Sequence, residues 1–165
     1  MYIYLAADHA GFHLKEAIKA HLIGQDYEVY DMGAHQYDPN DNFTDFITEA
    51  AREVSEDPDD AIAFIFGGSG QGEAMAANRF PDVRAVVYYG PRTAIAPRDA
   101  AGTMSADPLD IVRLAREHND ANVLSFGARF VTEAEAREAV ACFLTTPFSG
   151  RERYDVRNKA LDDLA

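Results

Sequence analysis

Short apolar runs alternate along the chain with stretches whose apolar residues recur every three or four positions. "YIYLAA" (2–7) predicts a buried strand, and "FHLKEAIKAHLI" (12–23) carries Leu14, Ile18 and Leu22 at helical spacing before Gly24 ends the helix. "YEVYDMG" (27–33) predicts a second strand, followed by a helix over "FTDFITEAAREVSE" (43–56) with its cap among Asn40, Asp41 and Asn42. "AIAFIF" (61–66) is apolar at every position, as a strand covered on both faces should be. A glycine-rich loop and a helix to about Arg79 come next. They are followed by strand "VRAVVYY" (83–89), a helix around "DPLDIVRLAREH" (107–118), strand "ANVLSFG" (121–127) and helix "TEAEAREAVACFLTT" (132–146). A tail, "GRERYDVRNKALDDL" (150–164), places Arg153 and Arg157 four apart, on one helical face.

Five alternations of strand and helix predict an α/β fold with a five-stranded parallel sheet, helices on both faces and right-handed crossovers. In such sheets ligands bind beyond the carboxyl ends of the strands. One connection is out of proportion. Residues 90–106, "GPRTAIAPRDAAGTMSA", form a link longer than the usual βα connection of about 2 to 6 residues. It is expected at the ligand-binding end, either as a tolerated surface insertion or as a lid or clamp on a neighbouring subunit.

Composition narrows the class. A chain of 165 residues, 47% hydrophobic and 26% charged, fits one globular domain. With 28 acidic against 15 basic residues the net charge is −13, which argues against nucleic acid and anionic membranes as partners. An anionic ligand would need a local arginine cluster. No apolar run reaches about 18 residues, and the first residues lack a basic signal-peptide region, so a soluble protein is expected. The single cysteine, Cys142, falls in an apolar helical pattern and reads as core packing in a reducing, cytoplasmic setting.

"FGGSGQGEAM" (66–75) poses the chemical question. Glycine loops that open a helix usually hold anions on backbone N–H groups, yet this helix starts with Glu73, which repels phosphate. The dinucleotide spacing G-x-G-x-x-G and the P-loop Gly-Lys-Ser/Thr are both absent. Other polar residues expected near the same edge are Asp8 and His9, Ser69 and Gln71, the stretch "REHNDAN" (116–122), and Arg129. Each has a plain structural reading as well: Asp8 as a turn cap, the arginines as solvated charges. His9 and His13 have a zinc-like spacing, but Gly11 places the helix start between them, which disfavours metal binding.

Taken together, "ADHAGFHLK", "GGSGQGEAMAANR", "LAREHNDANVLSFGARF" and "TTPFSGRERYDVR" resemble the ribose-5-phosphate isomerase B family, which also includes galactose- and allose-6-phosphate isomerases. The likeness spans nearly the whole chain apart from 90–106. It implies a three-layer Rossmann-like fold, no metal or cofactor, a sugar-phosphate substrate and a homodimer or homotetramer with active sites shared between protomers. It also implies a place in the pentose phosphate pathway. Many members carry a catalytic cysteine where this chain has Gly67. A branch with the loop Gly-Gly-Ser-Gly-x-Gly-Glu uses the glutamate, and "GGSGQGE" matches it, so the resemblance makes Glu73 the base.

Further roles follow from the same resemblance. His118 would help open the sugar ring, with Asn119 as a donor beside it. Asp8 and His9 would lie near the ring oxygen and the phosphate. Ser69 with Gly67, Gly68, Gly70 and Gly72 would form the loop that cradles the enediolate oxygen, and Arg129, Arg153 and Arg157 would hold the phosphate. The principal expectation is isomerisation of ribose 5-phosphate and ribulose 5-phosphate. A six-carbon sugar phosphate is the alternative substrate. A non-catalytic nucleotide- or sugar-phosphate-binding module is the alternative class, and Glu73 counts against it.

Overall fold

Alternate residues of the third strand serve opposite cores, which is why its sequence is apolar throughout. In a computed structural model of the chain, which describes residues 1–164, Ile62, Phe64 and Phe66 face one hydrophobic cluster and Ala61, Ala63 and Ile65 face another. The strands are β1 (Tyr2–Ala7), β2 (Val29–Asp31), β3 (Ala61–Gly67), β4 (Ala85–Tyr88) and β5 (Val123–Gly127). All pair in parallel, in the order β2-β1-β3-β5-β4. On one face α1 (Phe12–Ile23), α4 (Asp110–Asn119) and α5 (Glu133–Thr145) bury Ile18, Leu22, Val112 and Phe143. On the other, α2 (Phe43–Glu56) and α3 (Gln71–Ala77) bury Ile47, Val54 and Ala77. The last helix, α6 (Glu152–Asp162), packs on α4, where Asn158 Nδ2 donates to the His118 carbonyl at 3.2 Å. The three-layer α/β expectation therefore holds.

Helices α1 and α2 have the expected bounds, while several other ends are trimmed for visible reasons. The Asp107 carboxylate accepts from Leu109 N at 2.9 Å, and this local turn delays α4 until Asp110. Asn122 spends its side chain on Arg84 N and the Asp82 carbonyl, so β5 begins two residues later, at Val123. Asn42 occupies the N-cap of α2 without a side-chain capping bond.

Two features position the functional residues. Chain connections leave β1 toward β2 on one side while β3 pairs on the other, so a crevice opens beyond the carboxyl ends of β1 and β3. There Ala7 lies beside Phe66 and Gly67 beside Gly127. The start of α1 also approaches this point closely. A Cβ at Gly11 would stand 2.2 Å from the Phe66 carbonyl oxygen, so glycine is required.

Segment 90–106 contains neither helix nor strand. It was expected at the rim of the carboxyl-edge pocket. Instead, Arg98 pairs with Asp110 at 3.1 Å and Glu117 at 2.6 Å, binding the segment along α4. Among the described residues, no helix is long and apolar enough to cross a membrane.

Candidate active site

After β3 the chain turns through Gly70, whose φ of 72° lies in the left-handed region that glycine adopts without strain. Ser125 Oγ clamps this turn by donating to the Gly70 carbonyl at 2.7 Å. Glu73, in the first turn of α3, then sends its carboxylate back to the end of β3 and is only 5% exposed. It makes no ion pair among the described residues. Burial is the main influence on it and raises its pKa. Its own backbone N–H pulls the other way, the Asp8 charge adds to the rise, and the net shift is upward. The helix N-terminus therefore does not prevail, and Glu73 is a stronger base than a solvated glutamate.

Glu73 opens into a cleft of about 430 Å³ that Asp8, His9, Phe43, Ser69 and Arg129 also line. The Arg129 guanidinium lies over Gly68, where an added Cβ would come within 3.2 Å of it. Asp8 Oδ1 accepts from Ala10 N at 2.9 Å and Gly11 N at 3.1 Å, the capping role that its position before α1 suggested. Ser69 Oγ accepts from Gln71 N at 3.3 Å, while the N–H groups of Ser69 and Gly70 have no acceptor among the described residues. Ser69 shares the lining of the cleft with Glu73, where a free N–H is suited to a developing oxyanion.

His9 is held by a residue that sequence reasoning assigned only to helix capping. Asp41 Oδ1 accepts from His9 N at 3.0 Å and lies 2.7 Å from His9 Nδ1. The Asp41 bond raises the His9 pKa above its ordinary value; burial and the Arg129 charge oppose this, and Asp8 supports it. Asp8, His9 and Asp41 bring possible metal-ligand atoms within 4.8 Å of one another. Asp8 Oδ1 and Asp41 Oδ1 are committed to backbone N–H groups and the imidazole, while Asp41 Oδ2 is buried without a hydrogen-bond partner. Phe43 was also missed; its ring would lie 3.2 Å from a Cβ at Gly72, so it closes the cleft beside the loop.

The remaining expected residues lie elsewhere on the chain. Because α4 returns toward the amino ends of the strands and leads into β5, His118 and Asn119 at its end occupy the edge opposite Glu73. The expectation that "REHNDAN" shares one edge with the glycine loop within a single chain is therefore corrected. His118 stacks on Tyr154 with ring centroids 4.0 Å apart and planes inclined by 19°. Burial is the main cause of its lowered pKa; Glu117 opposes the shift, and Arg98, Arg151 and Arg153 reinforce it. A second pocket of about 330 Å³ lies beside it, with Arg98, Glu117, Phe148 and Arg151 in its wall. Asn119 is exposed and lines neighbouring hollows instead. Arg153 and Arg157 project from α6, exposed and without ion pairs among the described residues. Glu73, His9 and Arg129 thus line one cleft, and His118 lies at the opposite edge of the sheet.

The family model for Ribose/Galactose Isomerase matches this chain over residues 3–104 and 100–161. Ribose-5-phosphate isomerase B of Mycolicibacterium paratuberculosis is 38% identical over 157 residues, covering 95% of this chain and 87% of that protein. The Escherichia coli enzyme of the same name is 32% identical, covering 90% of this chain and 86% of its own. The crystal structure of Mycoplasma genitalium ribose-5-phosphate isomerase B with bound ribulose-5-phosphate superposes with a TM-score of 0.84 at 31% identity, over 99% of this chain and 95% of that one. The order of the strands, the glycine loop with its buried carboxylate and the extent of these matches agree: the chain belongs to the ribose/galactose isomerase family.

Proposed function

We propose that this chain is a cytoplasmic, single-domain aldose–ketose isomerase that interconverts ribose 5-phosphate and ribulose 5-phosphate in the pentose phosphate pathway, with Glu73 as the base and no metal. The observation that carries the mechanism is the Glu73 carboxylate, buried and without a cation partner, in the cleft that the glycine loop also lines. A carboxylate of raised pKa is suited to removing a weakly acidic proton from carbon.

In the open-chain aldose, Glu73 takes the C2 proton. The C–H electron pair forms the C1–C2 double bond of a cis-enediolate, and the carbonyl π pair moves onto O1. The N–H groups of Ser69 and Gly70 stabilise the negative oxygen. A proton passes from O2 to O1, Glu73 returns its proton to C1, and C2 becomes the carbonyl. The same carboxylate serves one face of the intermediate throughout. His118, held neutral, moves a proton between the anomeric hydroxyl and the ring oxygen as the furanose opens. Arg129, Arg153 and Arg157 grip the phosphate through charge-assisted bonds and locally reverse a field set by a net charge of −13. Because Glu73 and His118 lie at opposite edges, each chain carries two half-sites, and a homodimer or homotetramer completes each site.

Purified protein in EDTA is tested with ribose 5-phosphate, allose 6-phosphate and galactose 6-phosphate in separate reactions. Ketose formation from the pentose at the highest kcat/KM supports the proposal. Preference for a hexose phosphate would assign the chain to the six-carbon branch. Tight nucleotide binding with no isomerisation of any of the three would make it a binding module.

A further inference from the structure

Arg98 lies within the long connection 90–106 and reaches the helix that carries His118. Its guanidinium bridges two carboxylates on one face of α4, Asp110 at 3.1 Å and Glu117 at 2.6 Å. The Asp110 side chain is 3% exposed and its Oδ2 has no hydrogen-bond partner, so Arg98 provides the charge compensation for a buried carboxylate. Removing one member of such a pair is strongly destabilising. The connection is therefore tied to α4 and is not a freely tolerated surface insertion.

The loop behind Arg98 is organised to present it. Arg98 N donates to the Thr103 carbonyl at 2.8 Å, and Asp99 Oδ1 accepts from Ala101 N and Thr103 N, each at 3.0 Å. Asp99 and Thr103 enter the wall of the pocket that contains His118. Glu117 lines the same pocket as His118, and its carboxylate is engaged by Arg98 at 2.6 Å.

We propose that segment 90–106 is a built part of the His118 half-site, and that Arg98 is the positioning residue that holds Glu117 away from the imidazole. This rests on the reading that His118 takes part in ring opening. The groups facing His118 are Glu117 from α4, Arg98 from the connection, Arg151 and Arg153 at the start of α6, and the Tyr154 ring stacked upon it. Of the charged groups around it, Glu117 favours the imidazolium, and Arg98, which pairs with Glu117 at 2.6 Å, disfavours it together with Arg151 and Arg153. A proton shuttle at the anomeric hydroxyl needs the neutral ring. The connection thus extends the pH range of ring opening toward acid.

The test uses the intact protein and follows kcat/KM for ribose 5-phosphate against pH. Arg98→Met should lower kcat/KM by about tenfold at mildly acidic pH and move the acid limb upward, with Arg98→Lys restoring most of the profile. Adding Glu117→Gln to Arg98→Met should return the limb to its original position. Because Arg98→Met endangers the fold through Asp110, Glu117→Gln alone gives an independent reading: its acid limb should move downward. An acid limb unmoved in both Glu117→Gln and Arg98→Met overturns the proposal. Full turnover in His118→Ala would show that the reading of His118 itself fails, a separate outcome.

Discussion

A Cβ built on Gly67 would lie 1.8 Å from Oε1 and 2.0 Å from Cδ of Glu73. The carboxylate of the helix thus fills the space that a side chain at the end of β3 would occupy. A side chain at position 67 and the Glu73 carboxylate in its present position compete for the same space.

Gly67→Ala is therefore expected to displace Glu73. Overpacking of this kind costs about 1–3 kcal/mol, and a misplacement of about 1 Å lowers turnover on the order of a hundredfold. Gly67→Cys should behave similarly and should not create a second functional base. Thermal unfolding together with steady-state kinetics checks both points; wild-type kcat in Gly67→Ala would show that the carboxylate moves aside freely.

Glu73 should also weaken the fold in which it functions. Its pKa is raised in the native state, so the folded protein binds the proton more tightly than the unfolded chain. Stability must then fall as pH rises from the unfolded glutamate value through the higher folded value. Glu73→Gln should have a higher Tm than wild type at pH 7, and the difference should shrink below about pH 4, where both forms are uncharged. Calorimetric scans at the two pH values measure this; a lower Tm in Glu73→Gln at pH 7 would contradict it.

Arg153 and Arg157 are exposed and unpaired among the described residues, so they contribute little to the fold. Replacing both by alanine should change stability by no more than about 0.5 kcal/mol per site while raising KM at least about tenfold. Arg84 gives the contrast. It donates to the Asp120 carbonyl at 3.0 Å and pairs with Asp162 at 3.1 Å, so Arg84→Ala should loosen α6 and cost about 1–3 kcal/mol. Denaturant titration paired with KM measurements separates the two behaviours.

Lys15 is fully buried on α1, 2.5 Å from Asp31 and 2.9 Å from the Ala34 carbonyl. Lys15→Ala should cost about 3–5 kcal/mol by leaving a partly buried carboxylate short of a partner. Burial alone would raise the Asp31 pKa, but bonds from Lys15, Lys19 and Gly33 outweigh it and lower the net value. A depressed carboxylate contributes stability above its unfolded pKa and loses it as pH falls through the folded pKa. The acid unfolding midpoint of wild type should accordingly lie below that of Lys15→Ala, as circular dichroism across an acid titration would record.

The elements were legible where burial leaves a periodic trace. The apolar run at 61–66 and the spacing of Ile18 and Leu22 led directly to β3 and α1. Lys15 was illegible because lysine is rarely fully buried and its partner Asp31 lies at the end of another strand. Asp41 looked like a helix cap because only the fold brings it to His9, across 32 residues. The glycine loop with Glu73 could be recognised since its chemistry is contiguous in the chain. The separation of His118 from Glu73 leaves no trace in the local sequence, since residues before β5 and residues after β3 border opposite edges of a parallel sheet.

The most direct test of the central claim follows C2-proton exchange and ketose formation from ribose 5-phosphate in D2O with EDTA, comparing wild type with Glu73→Gln. The wild type should isomerise with deuterium incorporation, and both should fall in the variant by a factor of about 10³ or more while substrate still binds. Undiminished turnover in Glu73→Gln would contradict it and show that another group abstracts the proton.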